Sequence, residues 1–89
     1  MKVTIYSKLN CTYCSKAKVM LDNLGIEYTE KKLEEFDTVD DMFKDIGRKV
    51  RTMPAIKIDG ELIGGYHQLV EHLDDQGLVN FKGEKIEQR

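Results

Sequence analysis

The two cysteines of this 89-residue chain, Cys11 and Cys14, are separated by two residues and stand where a strand pattern gives way to a helix pattern. That placement constrains the fold more than any other feature. Cysteines at i and i+3 are neighbours on one helical turn, so their sulfurs can join or share a ligand. In a reducing compartment such a pair points to catalysis or metal binding rather than to a structural staple. A zinc site wants four ligands, and the chain has no second cysteine pair. His67 and His72 lie five apart on one predicted helix, about 140° round it, and do not converge. A bland core pair is disfavoured because Cys11 falls on a helix end rather than on an apolar stripe.

The chain around the pair reads as one domain over residues 1–89. Lys2 to Tyr6 alternates, with Val3 and Ile5 on one side, and is expected to be a strand. Ala17, Met20, Leu21 and Leu24 then follow helical spacing, and Gly25 with Ile26 behind it closes that helix. Cys14 lies almost over Leu21 on this helix and so faces the core, while Cys11 sits at the open N-terminal end. Ile26 to Leu33 is a weak strand, with Ile26 and Tyr28 sharing a side, expected at a sheet edge. Thr38, with Asp41 three residues on, resembles a capping box, and Val39, Met42, Phe43 and Ile46 carry the second helix to Gly47. Asp59-Gly60 between Ala55–Ile58 and Glu61–Gly64 is a hairpin signal. Tyr66, Leu69, Val70 and Leu73 mark a third helix ended by Gly77 with Leu78 behind it. Val79 and Phe81 are expected to dock, and the tail from about 82 to fray.

The order β-α-β-α-β-β-α, with a right-handed crossover between the first two strands and an antiparallel final hairpin, is an α/β four-stranded mixed sheet flanked by helices. It is the thioredoxin-fold arrangement. With 40% apolar and 34% charged residues, a folded globular domain is expected. Nothing resembles a membrane span. Met1 to Tyr6 runs straight into the strand pattern without an apolar run and cleavage site, so no secretory leader is expected and the reducing cytosol is the expected compartment. The formal net charge of −2 hides two basic groups, one of Lys2, Lys8, Lys16 and Lys18, the other of Arg48, Lys49 and Arg51. If they meet, the cysteines lie on a positive face that attracts anionic ligands. No nucleic-acid partner is expected.

A cysteine attacks a disulfide as the thiolate, and a free thiol of pKa about 8.5 is only slightly ionised near neutrality. Lowering that value to about 7 takes roughly 2 kcal/mol. A helix N-terminus supplies about 0.3–1 kcal/mol, so the dipole alone falls short. The remainder is expected from the unpaired amides around Tyr13 and Cys14, helped by the Lys8 ammonium. Cys11 can receive these contacts and Cys14 cannot, which makes Cys11 the nucleophile and Cys14 the resolving thiol. A cis bond before Pro54, the only proline, would turn the Met53 backbone toward the cysteines and leave groups to which an extended peptide can pair. Thr52, Met53 and Tyr13 would wall that groove.

Taken together, Tyr6-Ser7-Lys8 before Cys11-Thr12-Tyr13-Cys14, then Thr52-Met53-Pro54, then Gly64-Gly65, resemble the glutaredoxin family from Lys2 to about Leu73. The Thr-Met-Pro form with Gly-Gly-aromatic-x-Gln-Leu looks most like short bacteriophage glutaredoxins that serve a ribonucleotide reductase. The resemblance implies glutathione as reducing co-substrate with no tightly bound cofactor, disulfide-containing proteins as substrates, and a monomer. It places the glutathione mixed disulfide on Cys11 and makes Pro54 a cis-proline. Lys8 and a base of the Arg48 to Arg51 loop, Arg51 above all, would hold the glycine carboxylate, and the Thr52-Met53 backbone the cysteinyl part. Gly65, Tyr66, His67 and Gln68 would meet the γ-glutamyl end. Thr12 stands where glutaredoxins commonly have proline, which leaves the redox potential open; Gln68 stands where many have aspartate, and it opens thioredoxin reductase as an alternative electron donor. An iron-sulfur carrier is a further alternative, though members with that role typically carry Cys-Gly-Phe-Ser.

Overall fold

A computed structural model describes residues 1–77. Leu78 behind the Gly77 stop, the expected docking of Val79 and Phe81, and the tail from 82 lie outside the described residues. Four strands, β1 (Val3–Ser7), β2 (Tyr28–Lys32), β3 (Ala55–Ile58) and β4 (Glu61–Gly64), alternate with α1 (Thr12–Asn23), α2 (Val39–Ile46) and α3 (Tyr66–Asp75). The sheet order is β2-β1-β3-β4. β1 pairs with β2 in parallel, while β1 with β3 and β3 with β4 are antiparallel. This is the expected mixed sheet, with the weak strand at its edge.

The two-residue period of β1 sorts the core. Val3 and Ile5 face one way, into a cluster with Ala17, Met20 and Leu21 of α1, Leu69, Val70 and Leu73 of α3, and Ile56 and Ile58 of β3. Tyr6 faces the other way and packs with Met42, Ile46 and Ala55. Each fully buried Leu or Ile side chain contributes about 1.5–3 kcal/mol, so the larger cluster under α1 and α3 fixes the helix that carries the cysteines.

Local signals explain the helix ends. The Ile26 N–H donates to the Leu21 carbonyl at 2.9 Å and the Gly25 N–H to Asp22 at 3.1 Å, with Gly25 at φ +70°, which is a Schellman stop. Thr38 Oγ1 accepts from the Asp41 N–H at 3.1 Å and starts α2. Asp59 and Gly60 both have positive φ, 52° and 85°, as a type I′ hairpin requires. The expected second strand, Ile26 to Leu33, needs correction at both ends. Ile26 is outside β2, because its N–H is spent in closing α1, and the strand starts at Tyr28. Leu33, expected as the last residue of the strand, instead opens a short 3-10 turn with Glu34 and Glu35. Val39 opens α2 as its spacing predicts and is 47% exposed, while Met42 and Ile46 are buried and Phe43 packs partly buried against the same cluster.

Candidate active site

α1 starts directly after β1, so the chain turns within Lys8, Leu9 and Asn10, with Asn10 at φ 56°. Asparagine tolerates that left-handed conformation better than most residues. Cys11 is the N-cap of α1. Its Sγ accepts the Cys14 N–H at 3.2 Å, and its carbonyl accepts the Ser15 N–H at 3.2 Å. The first turn of α1 carries no acidic residue to oppose negative charge on that sulfur. Cys11 is half-buried, whereas Cys14 is only 2% exposed, and the two are joined as a disulfide with Cα atoms 5.2 Å apart. The expected asymmetry of one presented and one sheltered sulfur is present. Across the site, the Met53-Pro54 bond is cis and the Met53 carbonyl oxygen lies 3.6 Å from Cys11 Sγ.

Three clefts take in the site residues, the first of them lined by both cysteines. The first, of about 590 Å³, contains Lys8, Thr12, both cysteines, Lys18, Glu30 and Glu34. Its wall is wired: the buried Ser7 hydroxyl donates to Glu30 Oε2 at 2.7 Å, and Lys18 Nζ reaches the same oxygen at 2.9 Å. Burial pushes the Glu30 carboxyl up, but the hydrogen bonds from Lys18 and Ser7 and the charges of Lys18 and Lys32 outweigh it and hold the group below its ordinary value. The hydrogen bond to Glu30 in turn raises the Lys18 ammonium, with burial opposing. Glu34 accepts the Leu9 N–H at 3.1 Å and so steadies the turn before Cys11.

The second cleft, of about 490 Å³, brings together Arg48, Lys49, Arg51, Thr52, Pro54, Gly65 and Gln68. Gln68 Oε1 accepts the Gly65 N–H at 2.9 Å, the reciprocal half of a capping box at the start of α3. The Gln68 side chain lies so close over Gly64 that a Cβ there would stand 2.7 Å from Gln68 Cγ, and Gly64 has φ +123°. Only glycine suits that position. The third cleft, of about 430 Å³, is floored by aromatic rings. Tyr13, Tyr66 and His67 have centroids 5.4–5.6 Å apart, and Lys16 Nζ sits 5.3 Å from the Tyr13 centroid.

The residues singled out in the sequence therefore divide. Arg51, Thr52, Pro54, Gly65 and Gln68 share the second cleft. Tyr13, Tyr66 and His67 line the third, and Lys8 lines the first with the cysteines. Lys8 and Arg51 thus line different clefts, the first and the second. His72 is not at the site; it pairs with Gln76 at 2.9 Å on α3. Sequence reasoning missed Ser7, Glu30 and Glu34, whose meeting depends on the parallel pairing of β1 with β2 and the turn beyond it. A charged residue on an expected edge strand was the only signal.

A four-stranded mixed sheet with a disulfide at the N-terminus of its first helix, facing a cis-proline, defines a thioredoxin-fold thiol-disulfide oxidoreductase. The profile of the Glutaredoxin family matches residues 3–63. Glutaredoxin 3 of Escherichia coli K12 is 37% identical over 76 residues, covering 84% of this chain and 88% of the relative. Mouse mitochondrial glutaredoxin-2 is 35% identical over 66 residues, covering 71% of this chain but 42% of that longer protein. Among solved structures, a buckwheat glutaredoxin-glutathione complex superposes with a TM-score of 0.66 at 30% identity, over 84% of this chain and 69% of that one. The chain belongs to the glutaredoxin family. No helix among its described residues is long and apolar enough to cross a membrane.

Proposed function

We propose that this chain is a dithiol glutaredoxin that uses glutathione to reduce protein disulfides and glutathione mixed disulfides. The observation that carries the reading is the inequality of the sulfurs: Cys11 caps α1 and accepts an amide N–H, while Cys14 is buried beneath it. In the reduced protein, Cys11 attacks as thiolate and bonds to one sulfur of the target, whose other sulfur leaves as a thiolate and takes a proton from water. Cys14, as thiolate, then attacks Cys11 Sγ, releasing the second target thiol and closing the Cys11–Cys14 disulfide. Two glutathione thiols return the pair to the dithiol and leave as oxidised glutathione, so electrons balance.

Glutathione in this reading lies in the second cleft, with its sulfur toward Cys11, its cysteinyl part along Thr52 and Met53, and its carboxylates toward Arg51 and the start of α3. Tyr13, Tyr66 and His67 border the sulfur from the other side. Lys8, in the first cleft, acts on the charge of the Cys11 thiolate rather than on glutathione. The glutathione-bound buckwheat structure supports this seat by similarity. On the resemblance to short phage glutaredoxins, ribonucleotide reductase is one proposed target, and we place the chain as a monomer in the reducing cytosol.

Steady-state reduction of a glutathione mixed disulfide, coupled to glutathione reductase, tests the proposal. Turnover is expected with glutathione and not when thioredoxin reductase is supplied instead. The reverse result would move the protein to the second reading, a redoxin fed by thioredoxin reductase, which the lack of any acidic side chain among the described lining of the second cleft favours.

A further inference from the structure

We propose that Lys18 is a positioning residue for the resolution step: its ammonium favours the thiolate of Cys14, the form in which that buried sulfur attacks Cys11 Sγ, and Glu30 partly offsets it. The inference rests on the reading of Cys14 as the resolving thiol and adds the group that lets it ionise.

The two sulfurs have unequal means of holding negative charge. Cys11 Sγ caps α1 and accepts the Cys14 N–H, whereas Cys14 is buried and its own amide is spent on the other sulfur. Burial pushes a thiol up, so a buried resolving cysteine needs a cation nearby to supply thiolate near neutrality. Lys18 stands at i+4 from Cys14 in α1. Residues so spaced are neighbours on the helix surface, and a helical side chain leans toward the N-terminus, over the preceding turn. Lys18 and Cys14 also line one cleft, together with Ser7 and Glu30.

The cation is held there rather than loose. Lys18 Nζ lies 2.9 Å from Glu30 Oε2, which accepts the buried Ser7 hydroxyl at 2.7 Å, and both partners of the ion pair are partly buried. The bond to Glu30 raises the Lys18 ammonium, which therefore stays charged throughout the range in which a thiol titrates. Glu30, held below its ordinary value despite burial, is a carboxylate too weak in base strength to draw the proton from a thiol of pKa about 8.5. The ammonium and not the carboxylate is thus the partner that assists Cys14.

The other charges on this cleft are Lys8 of the turn after β1, Lys32 of β2 and Glu34 beyond it, and Asp22 and Tyr28 also act on Lys18. Of the cations lining the cleft, only Lys18 belongs to the helix of Cys14. From α3, Tyr66, His67, Glu71 and Asp74 share a different cleft with Tyr13 and Lys16, and the basic loop before β3 lines a third. In the step itself Cys14 gives its thiol proton to water and its sulfur bonds to Cys11 Sγ. The sulfur displaced from Cys11 leaves as a thiolate and takes up a proton.

The test mixes the pre-reduced full chain, in excess, with dithiobis-nitrobenzoate, an aromatic disulfide whose thiolate is coloured. Attack by Cys11 releases one coloured thiolate and resolution by Cys14 a second, so one stopped-flow trace reads both steps, and the second is independent of protein concentration. Lys18→Met should raise the pH midpoint of the second phase relative to the first by about one unit, making resolution about 10-fold slower near pH 7. Lys18→Arg should keep the wild-type midpoint. Glu30→Gln retains an acceptor for Ser7 and Lys18 but removes the offsetting charge, and should lower the midpoint. A purely structural pair would not give shifts of opposite sign. An unmoved midpoint in Lys18→Met, an equal rise in Lys18→Arg, or shifts of the same sign in Lys18→Met and Glu30→Gln overturns the proposal. Should Lys18→Met fail to fold, an unmoved or raised midpoint in Glu30→Gln overturns it alone. Cys14→Ser should abolish the second phase; if that phase persists, the reading of Cys14 as resolving thiol fails and the proposal with it.

Discussion

The first cleft, which holds both cysteines, and the second, which holds the cis-proline opposite them, are built on opposite principles. In the first, charge is internally matched: Glu30 holds Lys18 and the Ser7 hydroxyl, and Glu34 holds the turn before Cys11. In the second, three exposed cations form no ion pair among the described residues, and Gln68 accepts the Gly65 N–H as a helix cap. Matched charge stiffens a wall, whereas unmatched charge remains for a ligand. The first cleft is accordingly structural support for Cys11 and Cys14, and the second is where recognition resides.

Substitutions can break this comparison at several depths. The largest effect is expected at the sulfur the clefts share. Cys11→Ser should remove all turnover, and Cys14→Ser should spare reduction of glutathione mixed disulfides while losing that of protein disulfides; the opposite ranking in the coupled assay would reverse the assignment of roles. Next, Gly64→Ala forces a methyl group against Gln68 Cγ at a positive φ and should destabilise the fold by about 1–3 kcal/mol in urea titration. Gln68→Ala in the same background should recover the steric part.

On the other side, Glu30→Ala leaves the buried Ser7 hydroxyl and Lys18 without their acceptor, and a loss of about 1–3 kcal/mol by denaturation is expected. If Glu30 were instead a recognition residue, its removal would change substrate kinetics and leave stability alone.

Acid should act through the same matched groups. Glu30 is held below its ordinary value by Lys18 and Ser7 against burial, and Asp45 by hydrogen bonds from Lys31 and Tyr6. A carboxyl depressed in the folded state contributes stability that is complete above its unfolded pKa, about 3.9 for Asp and 4.3 for Glu, and is lost as pH falls through the lower folded value. Thermal midpoints should therefore decline below about pH 4, and more gently in Glu30→Ala and in Asp45→Asn. The Tyr6 hydroxyl, pushed up by burial and by its bond to Asp45, does not titrate in this window. The smallest effect belongs to the more exposed pair on the opposite face of the sheet. Lys31→Ala breaks the 2.8 Å contact with Asp45 and should cost about 0–1 kcal/mol, declining with added salt.

Most of the scaffold was legible because its signals are local. The spacing of Ala17, Met20 and Leu21, the Gly25 stop, the Thr38 cap and the Asp59-Gly60 turn each act within a few residues. Ile26 was misjudged for the same reason in reverse. Periodicity says which side of a helix is apolar, but not how far along its length the sheet extends. Apolarity likewise does not reveal that the Ile26 N–H is committed to the Leu21 carbonyl.

By itself the sequence determined the element order, the side of α1 on which each cysteine falls, and the residues that surround them, since those follow from spacing along one chain. Only the tertiary structure decided how the surroundings are shared. Lys8 and Arg51 were expected at one carboxylate and line different clefts, and Gly65 and Gln68 part from Tyr66 and His67 at the start of α3. The reason is geometric: successive helical residues diverge by about 100°, and which loops meet beside α1 is set by sheet order and not by distance along the chain.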